Sequence, residues 1–300
     1  MKQNRKKMPM IIVEMSGGLG NQMFQYALYK AMLNKGLDVR IDKSIYRDVD
    51  HKEKVEIDSF PNVSYFEADK KMSATLRGYG YNDGIIDRIR NKLNKTKRNL
   101  YHENLDKGYQ PEIFGLDNVF LNGYWQCEKY FDGIKNLIKS DFTFPLEIIK
   151  NGEIDKIARE MKNCNSVSVH VRRGDYLRPG LKEIFGNICT EEYYKEAIDY
   201  IREHVDNPVF YFFSNDIKWV RDNFKSDDYR YVNEKKLWNG MADMHLMTQC
   251  RHNIVANSSF SWWGAWLNIH GDNIVICPSR WVNTHSVNDI ICNGWISINV

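Results

Sequence analysis

The chain predicts an α/β fold built from parallel strand–helix–strand units in two domains. Three observations carry this expectation. Short runs rich in Val, Ile and Phe recur along the chain, segments of helical spacing separate them, and a polar stretch after Pro145 interrupts the series. Strands that alternate with helices lie parallel, and such sheets take their ligands at the carboxyl ends of the strands.

The first strand is Met10–Met15, apolar and β-branched, and it feeds the turn Ser16-Gly17-Gly18-Leu19-Gly20. From Gln22 to Asn34 the residues Met23, Tyr26, Ala27, Lys30, Ala31 and Leu33 come close to helical spacing. Gly36 ends that helix, and Asp38–Asp42 is the next strand. Residues 44–118 are polar with few clean periods, and Gly78–Gly84 reads as a loop. Val119–Tyr124 is a further strand and Glu128–Lys139 a helix. The break near 145–165 gives an N-terminal domain of residues 1–155 and a C-terminal one of 156–300. Beyond it the alternation is regular: strand Ser166–His170, helix Glu191–His204, strand Val209–Ser214 and a helix from Ile217. Short strands at Tyr229–Val232, Asn253–Ala256 and Asn273–Cys277 follow, with helical segments at 241–250 and 259–269.

Composition narrows the function classes. A net charge of +3 over 300 residues is far below the basic footprint of a nucleic-acid binder. The basic clusters Lys2, Arg5, Lys6, Lys7 and Arg88, Arg90, Lys92, Lys95, Lys97, Arg98 read as solvated surface, the sharper reading being peripheral contact of the N-terminus with an anionic membrane. The six cysteines are scattered without a C-x-x-C pair, which fits free thiols in a reducing compartment. Met8–Val13 is too short for a signal peptide, and no stretch nears the ~18 apolar residues of a membrane span. A cytoplasmic enzyme is expected. Aromatic enrichment, with 17 Tyr and 8 Trp, suits flat ligands such as sugars and bases, and equally an aromatic core.

Four constellations carry chemistry. His170-Val171-Arg172-Arg173-Gly174-Asp175-Tyr176 follows a strand, and arginine's planar fork matches a phosphate's oxygens. Cations aimed at a departing diphosphate lower the barrier to glycosyl transfer; a surface Arg–Asp salt bridge would use the same residues. Asn257-Ser258-Ser259 opens a helix whose free N–H groups make an anion site, with Trp263 and Trp266 at core spacing. Gly17–Gln22 matches neither a dinucleotide fingerprint nor a P-loop, yet its glycines permit close backbone approach and Asn21 and Gln22 add amide donors. Asp243, before an apolar helical run, either accepts paired donors from a guanine or caps the helix. The one D-x-D triplet, Asp48-Val49-Asp50, falls in the polar 44–118 stretch, and the paired arginines rather than a metal are expected to neutralise the diphosphate.

Together, Gly17–Ala27 (GGLGNQMFQYA), His170–Tyr176, Phe213-Ser214-Asn215-Asp216 and Asn257–Trp263 resemble the inverting α1,2-fucosyltransferases, glycosyltransferase family 11, in order and approximate separation. The resemblance implies a GT-B type α/β fold, two Rossmann-like domains facing a cleft, with GDP-fucose held mainly by the second and no metal or other cofactor. It implies that Arg172 binds the β-phosphate, with Arg173 beside it. His170 and Asp243 would contact guanine and ribose, Asn257, Ser258 and Ser259 the phosphates, and Asn21 the donor from the other domain. Gln22 and Tyr176 are expected on the acceptor side. Asp175 is the first candidate for the base, with Glu14 and Glu183 behind it. The implied acceptor is a galactose-terminated oligosaccharide or lipid-linked glycan. The competing readings are another GT-B transferase and a carbohydrate-binding relative without turnover.

Overall fold

The computed structural model describes residues 10–47, 53–78, 99–286 and 289–300, so the basic clusters and most of the 78–84 loop lie outside the described residues. The chain divides into two compact units between Thr143 and Phe144. The boundary expected at 155 falls instead within the helix Gly152–Lys162, whose buried Ile154, Ala158 and Met161 pack into the core of the second unit. A polar sequence stretch misled there: the helix is amphipathic, and only its narrow apolar stripe is bound.

The first unit holds β1 (Met10–Glu14), β2 (Asp38–Asp42), β3 (Leu100–His102) and β4 (Val119–Asn122), all parallel in the order β2-β1-β4-β3. Ile11 lies beside both Val39 and Val119, so the β-branched run of β1 is flanked on both edges. The helix Leu19–Asn34 starts three residues earlier than its periodicity suggests, because Gly18 is the N-cap. Asn21 and Gln22 therefore stand in its first turn rather than in a loop. Glu128–Lys139 is not one helix. Two single 3₁₀ turns, Glu128–Tyr130 and Asp132–Ile134, precede a short helix at Lys135–Asp141. Tyr130, Phe131 and Ile138 supply the helical period, while Gly133 within the second turn disfavours one continuous helix.

The second unit holds β5 (Asn165–Val171), β6 (Pro208–Ser214), β7 (Tyr229–Tyr231), β8 (His252–Ile254), β9 (Val275–Pro278) and β10 (Ile296–Ile298), again all parallel. Their order, β10-β9-β8-β5-β6-β7, is that of a doubly wound dinucleotide-type sheet. The chain steps from β5 outward to β7, then crosses back to β8 on the other side of β5. Strand alternation sends Val167, Val169 and Val171 to one face, where they meet Tyr193, Tyr194, Ala197, Ile198 and Ile201 of the helix Glu191–His204. The opposite face of β5 carries Ser166, Ser168 and His170, all buried. Its polarity is matched: Asn253 Nδ2 donates to Ser168 Oγ at 2.7 Å and Asn268 Nδ2 to Asn253 Oδ1 at 2.6 Å. Buried polar groups left unmatched would cost about 1–3 kcal/mol each. Among the described residues, no helix is long and apolar enough to cross a membrane.

Candidate active site

In a doubly wound sheet the crevice opens beyond the carboxyl ends of the two strands where the winding reverses. In the second unit those strands are β5 and β8. Arg172–Tyr176 leaves β5 and Val255–Ser259 leaves β8, so the two motifs, some eighty residues apart in sequence, stand side by side. The Tyr176 hydroxyl ties them, donating to the Asn257 carbonyl at 3.1 Å.

Arg172 is held in a fixed direction. Its Nη2 donates to Asp175 Oδ2 at 2.7 Å and its guanidinium lies over the Tyr176 ring, 5.4 Å from the centroid. The other Asp175 oxygen accepts from Asn215 Nδ2 at 3.1 Å, while Asn215 Oδ1 accepts from the Arg173 backbone N–H at 3.0 Å. Each Asp175 oxygen thus accepts one bond, which orients Arg172 and closes the loop, the salt-bridge use that the sequence offered beside a role as base. A side chain at position 174 would enter this arrangement, since a Cβ there would stand 2.6 Å from Asn215 Nδ2. Arg173 is directed elsewhere, with its guanidinium 3.9 Å from the centroid of the Trp219 ring and its Nε 3.5 Å from Asp216 Oδ2. That cage makes it a local anchor, and the phosphate role expected of both arginines rests on Arg172. Glu183, the reserve base, accepts the Gly180 N–H at 2.6 Å and braces a short helix.

His170 lies under the crevice, buried, its ring 5.6 Å from that of Phe260. Burial first, and the Arg172 charge second, push its pKa down to about 3, so the imidazole is neutral at physiological pH. Its Nδ1 is buried with no hydrogen-bond partner among the described residues.

Beyond β8, Asn257 spends its amide on the fold, donating to the Phe185 and Trp281 carbonyls at 3.1 and 3.0 Å. A direct phosphate contact from this amide is therefore corrected to a structural clamp. Ser258 is the N-cap of the helix Ser259–Trp266, with extended backbone and no side-chain capping bond to that helix. The first-turn N–H groups, with Ser259, stand at the carboxyl end of β8, where the sequence reading expects an anion.

Asp243 is not a helix cap. Asn239 caps the helix Gly240–Gln249, accepting from the Ala242 N–H, and Asp243 sits in the first turn. Its Oδ1 accepts from Trp238 Nε1 at 2.8 Å. Burial raises its pKa to about 7, against smaller lowering effects of hydrogen bonds from Trp238 and Asn233.

In the first unit the winding reverses between β1 and β4. Gly17 takes φ +75°, and a Cβ there would lie 2.6 Å from Asn21 Nδ2, so only glycine suits the turn. Gln22 is corrected from an acceptor contact to a staple. It is fully buried, donates to the Gly17 and Lys54 carbonyls at 2.9 and 2.7 Å, and accepts the Glu56 and Ile57 N–H groups. Asn21 is only half-buried and accepts from Gln126 Nε2 at 2.8 Å. Glu14, at the end of β1, is buried, accepts from Asn122 and has Arg77 at 3.8 Å; burial raises its pKa. Asn215 and Gln126 escaped the sequence reading as site residues, although Asn215 belongs to the Phe213–Asp216 motif. Among the described residues, no group of three or more His, Cys, Asp or Glu is placed to hold a metal ion.

A family model described as Glycosyl transferase family 11 matches residues 10–299. An α-1,2-colitosyltransferase of Escherichia coli is 32% identical over 278 residues, covering 91% of this chain and 92% of that one. The O-antigen biosynthesis glycosyltransferase WbnK of Escherichia coli is 32% identical over 309 residues, covering 95% and 99%. A galactoside α-(1,2)-fucosyltransferase 1 of Saimiri boliviensis boliviensis is 29% identical over 165 residues, covering 52% of this chain and 44% of that one.

Proposed function

We propose that this chain, which belongs to glycosyl transferase family 11, transfers L-fucose from GDP-β-L-fucose to the 2-hydroxyl of a galactoside with inversion. The observation that carries the donor half is the pairing at the β5/β8 crevice of Arg172, aimed by Asp175, with the Ser258-capped helix end. Negative charge grows on the leaving GDP, and a preorganised arginine and helix N-terminus stabilise it without reorganisation at the moment of reaction. Cations of this kind remove the need for a bridging metal, so the reaction runs on GDP-fucose alone. Asp243 accepts the two donors on the guanine edge, and neutral His170 adds a contact from beneath. Asn21, in the first turn of the helix Leu19–Asn34, adds a contact to the donor. The galactoside is the end of an oligosaccharide or lipid-linked glycan, handled in the cytoplasm, with the basic N-terminus against the membrane.

A second donor has a specific claim. The similarity to an α-1,2-colitosyltransferase supports GDP-colitose, whose sugar is L-fucose without its 3-hydroxyl. A site that hydrogen-bonds that hydroxyl rejects the deoxy sugar strongly, whereas an apolar site discriminates weakly. The deciding experiment measures GDP release from each donor with methyl β-galactoside and locates the new bond by NMR. Fucosylation at O2 with an α linkage is expected. Release of GDP only from GDP-colitose would replace the donor, and product of retained β configuration would overturn inversion.

A further inference from the structure

The first unit contains a turn that neither the fold nor the donor site accounts for. β4 ends at Asn122, and the chain then makes a sharp corner through Gly123, Tyr124 and Trp125. Trp125 takes φ +57°, a left-handed conformation that a bulky residue adopts only under compulsion. Its indole Nε1 is buried with no hydrogen-bond partner among the described residues, a second cost at the same corner. Strained and unsatisfied groups persist where surroundings over-determine them, and they cluster at ligand sites.

The compulsion is visible. Glu103, one residue past β3, accepts the backbone N–H of Tyr124 at 2.6 Å and of Trp125 at 3.0 Å with the same oxygen. Gly123 has no room for a side chain, since a Cβ would lie 2.5 Å from Glu103 Cβ. The Gly123 carbonyl accepts from Gln25 Nε2 at 2.9 Å, and Gln126 donates to Asn21. The corner is thus bolted to β3 and to the helix Leu19–Asn34. Trp125 is driven wholly into the core and Tyr124 outward, where it remains 42% exposed. It stands at the carboxyl end of β4, beside β1, where the winding of this sheet reverses, and Glu14 and Glu53 lie within electrostatic reach of its hydroxyl.

We infer that the Tyr124 ring is the platform on which the acceptor's terminal pyranose stacks, with Glu103 as its positioning residue. This deepens the proposed transferase reading and rests on it. A galactopyranoside has one face on which the hydrogens of C3, C4 and C5 lie together, and an exposed phenol ring offers that face an apolar, rigid surface. The surrounding carboxylates select a neutral glycan and repel one carrying a carboxylate or phosphate near its terminus. Tyr124 supplies binding and takes no part in proton transfer.

The test uses the full chain and methyl β-galactoside as the probe. Tyr124→Ala raises the KM for this acceptor about tenfold, the size of a lost aromatic contact, while Tyr124→Phe stays within about twofold. GDP affinity, read by calorimetry, is the same in all three proteins and shows that the variants are folded. Glu103→Gln raises acceptor KM with little change in kcat, and Tyr124→Ala added to it has less effect than alone. Saturation-transfer NMR reads galactoside binding without turnover, so it separates this inference from the choice of donor. If the unmutated protein leaves GDP-fucose intact but its galactoside signal depends on Tyr124, the transferase reading falls and the platform stands. An acceptor KM and NMR signal unmoved by Tyr124→Ala overturn the platform, as does absence of any galactoside signal from the unmutated protein.

Discussion

Asp243→Asn tests guanine recognition and the electrostatics of the second unit together. The carboxyl titrates near 7 instead of its ordinary 3.8 because burial opposes its charge. The folded protein therefore keeps a proton between pH 4 and 7 that the unfolded chain releases. Stability contributed by this group is full below pH 4 and is lost as the pH rises through 7. The whole effect amounts to roughly 4 kcal/mol at full ionisation, and solvent reaching a half-buried group brings it nearer ~2 kcal/mol. Asparagine keeps the shape and the bond from Trp238 but cannot ionise. The variant should thus melt higher than the parent at pH 8, with the gap shrinking towards pH 4. GDP binding moves the other way. A carboxylate accepts both N1–H and the exocyclic amine of guanine, while the asparagine carbonyl accepts only one of them well. Loss of one charge-assisted bond weakens GDP about 10- to 100-fold at pH 8. Binding to the parent protein also ejects a proton below pH 7, which calorimetry in buffers of different ionisation enthalpy measures. Comparison with the variant removes the contribution of the nucleotide's own phosphate. A stability gap that does not change with pH would refute the buried-carboxyl argument, and equal GDP affinity would return Asp243 to the Trp238 contact alone.

Arg172→Lys should lower kcat roughly 100-fold or more with donor KM little changed, because lysine cannot reproduce the fork aimed at developing charge; a rate like the parent's would remove it from the transition state. Initial rates in excess EDTA should match those in magnesium, and near-total loss restored by metal would defeat the metal-free reading. Gly174→Ala should cut activity well before it alters melting, since the added Cβ displaces Asn215 and loosens Asp175; unchanged kinetics would show that the loop tolerates the shift.

Length alone did not decide which elements were legible. The alternation of β5 and the apolar run of β6, seven residues each, stood out, and so did the three-residue β7 and β8, whereas β3 and β10, also three residues each, are held by neighbours rather than by propensity. The helix Lys70–Arg77 and the Trp125 corner both lie at or near the polar 44–118 stretch, where tertiary contacts decide the conformation. At the site, residue type singled out Arg172 and the helix that starts after Ser258, and the structure sets the two at the ends of neighbouring strands. It misassigned Gln22 and Asn257, since an amide that lines a ligand and an amide that staples a loop have the same donors and acceptor. Only the partners tell them apart: four backbone groups for Gln22 and two carbonyls for Asn257.

The order β10-β9-β8-β5-β6-β7 has a consequence for how the protein is made. β5 emerges first among the strands of its unit yet occupies the middle of the sheet, and one flank is empty until β8 is synthesised. Ser168 waits 85 residues for Asn253, and the arginine loop waits as long for the serines and the helix end that stand beside it. Asn283 then sutures the segment after β9 to the loop before the helix Glu191–His204, donating to the Gly186 carbonyl at 2.8 Å. Contacts of such sequence separation close slowly, and a chain still on the ribosome exposes half of an apolar sheet. If the second unit holds the nucleotide as proposed, that binding belongs to a nearly finished polypeptide, and a nascent chain halted before β8 is expected to bind no GDP.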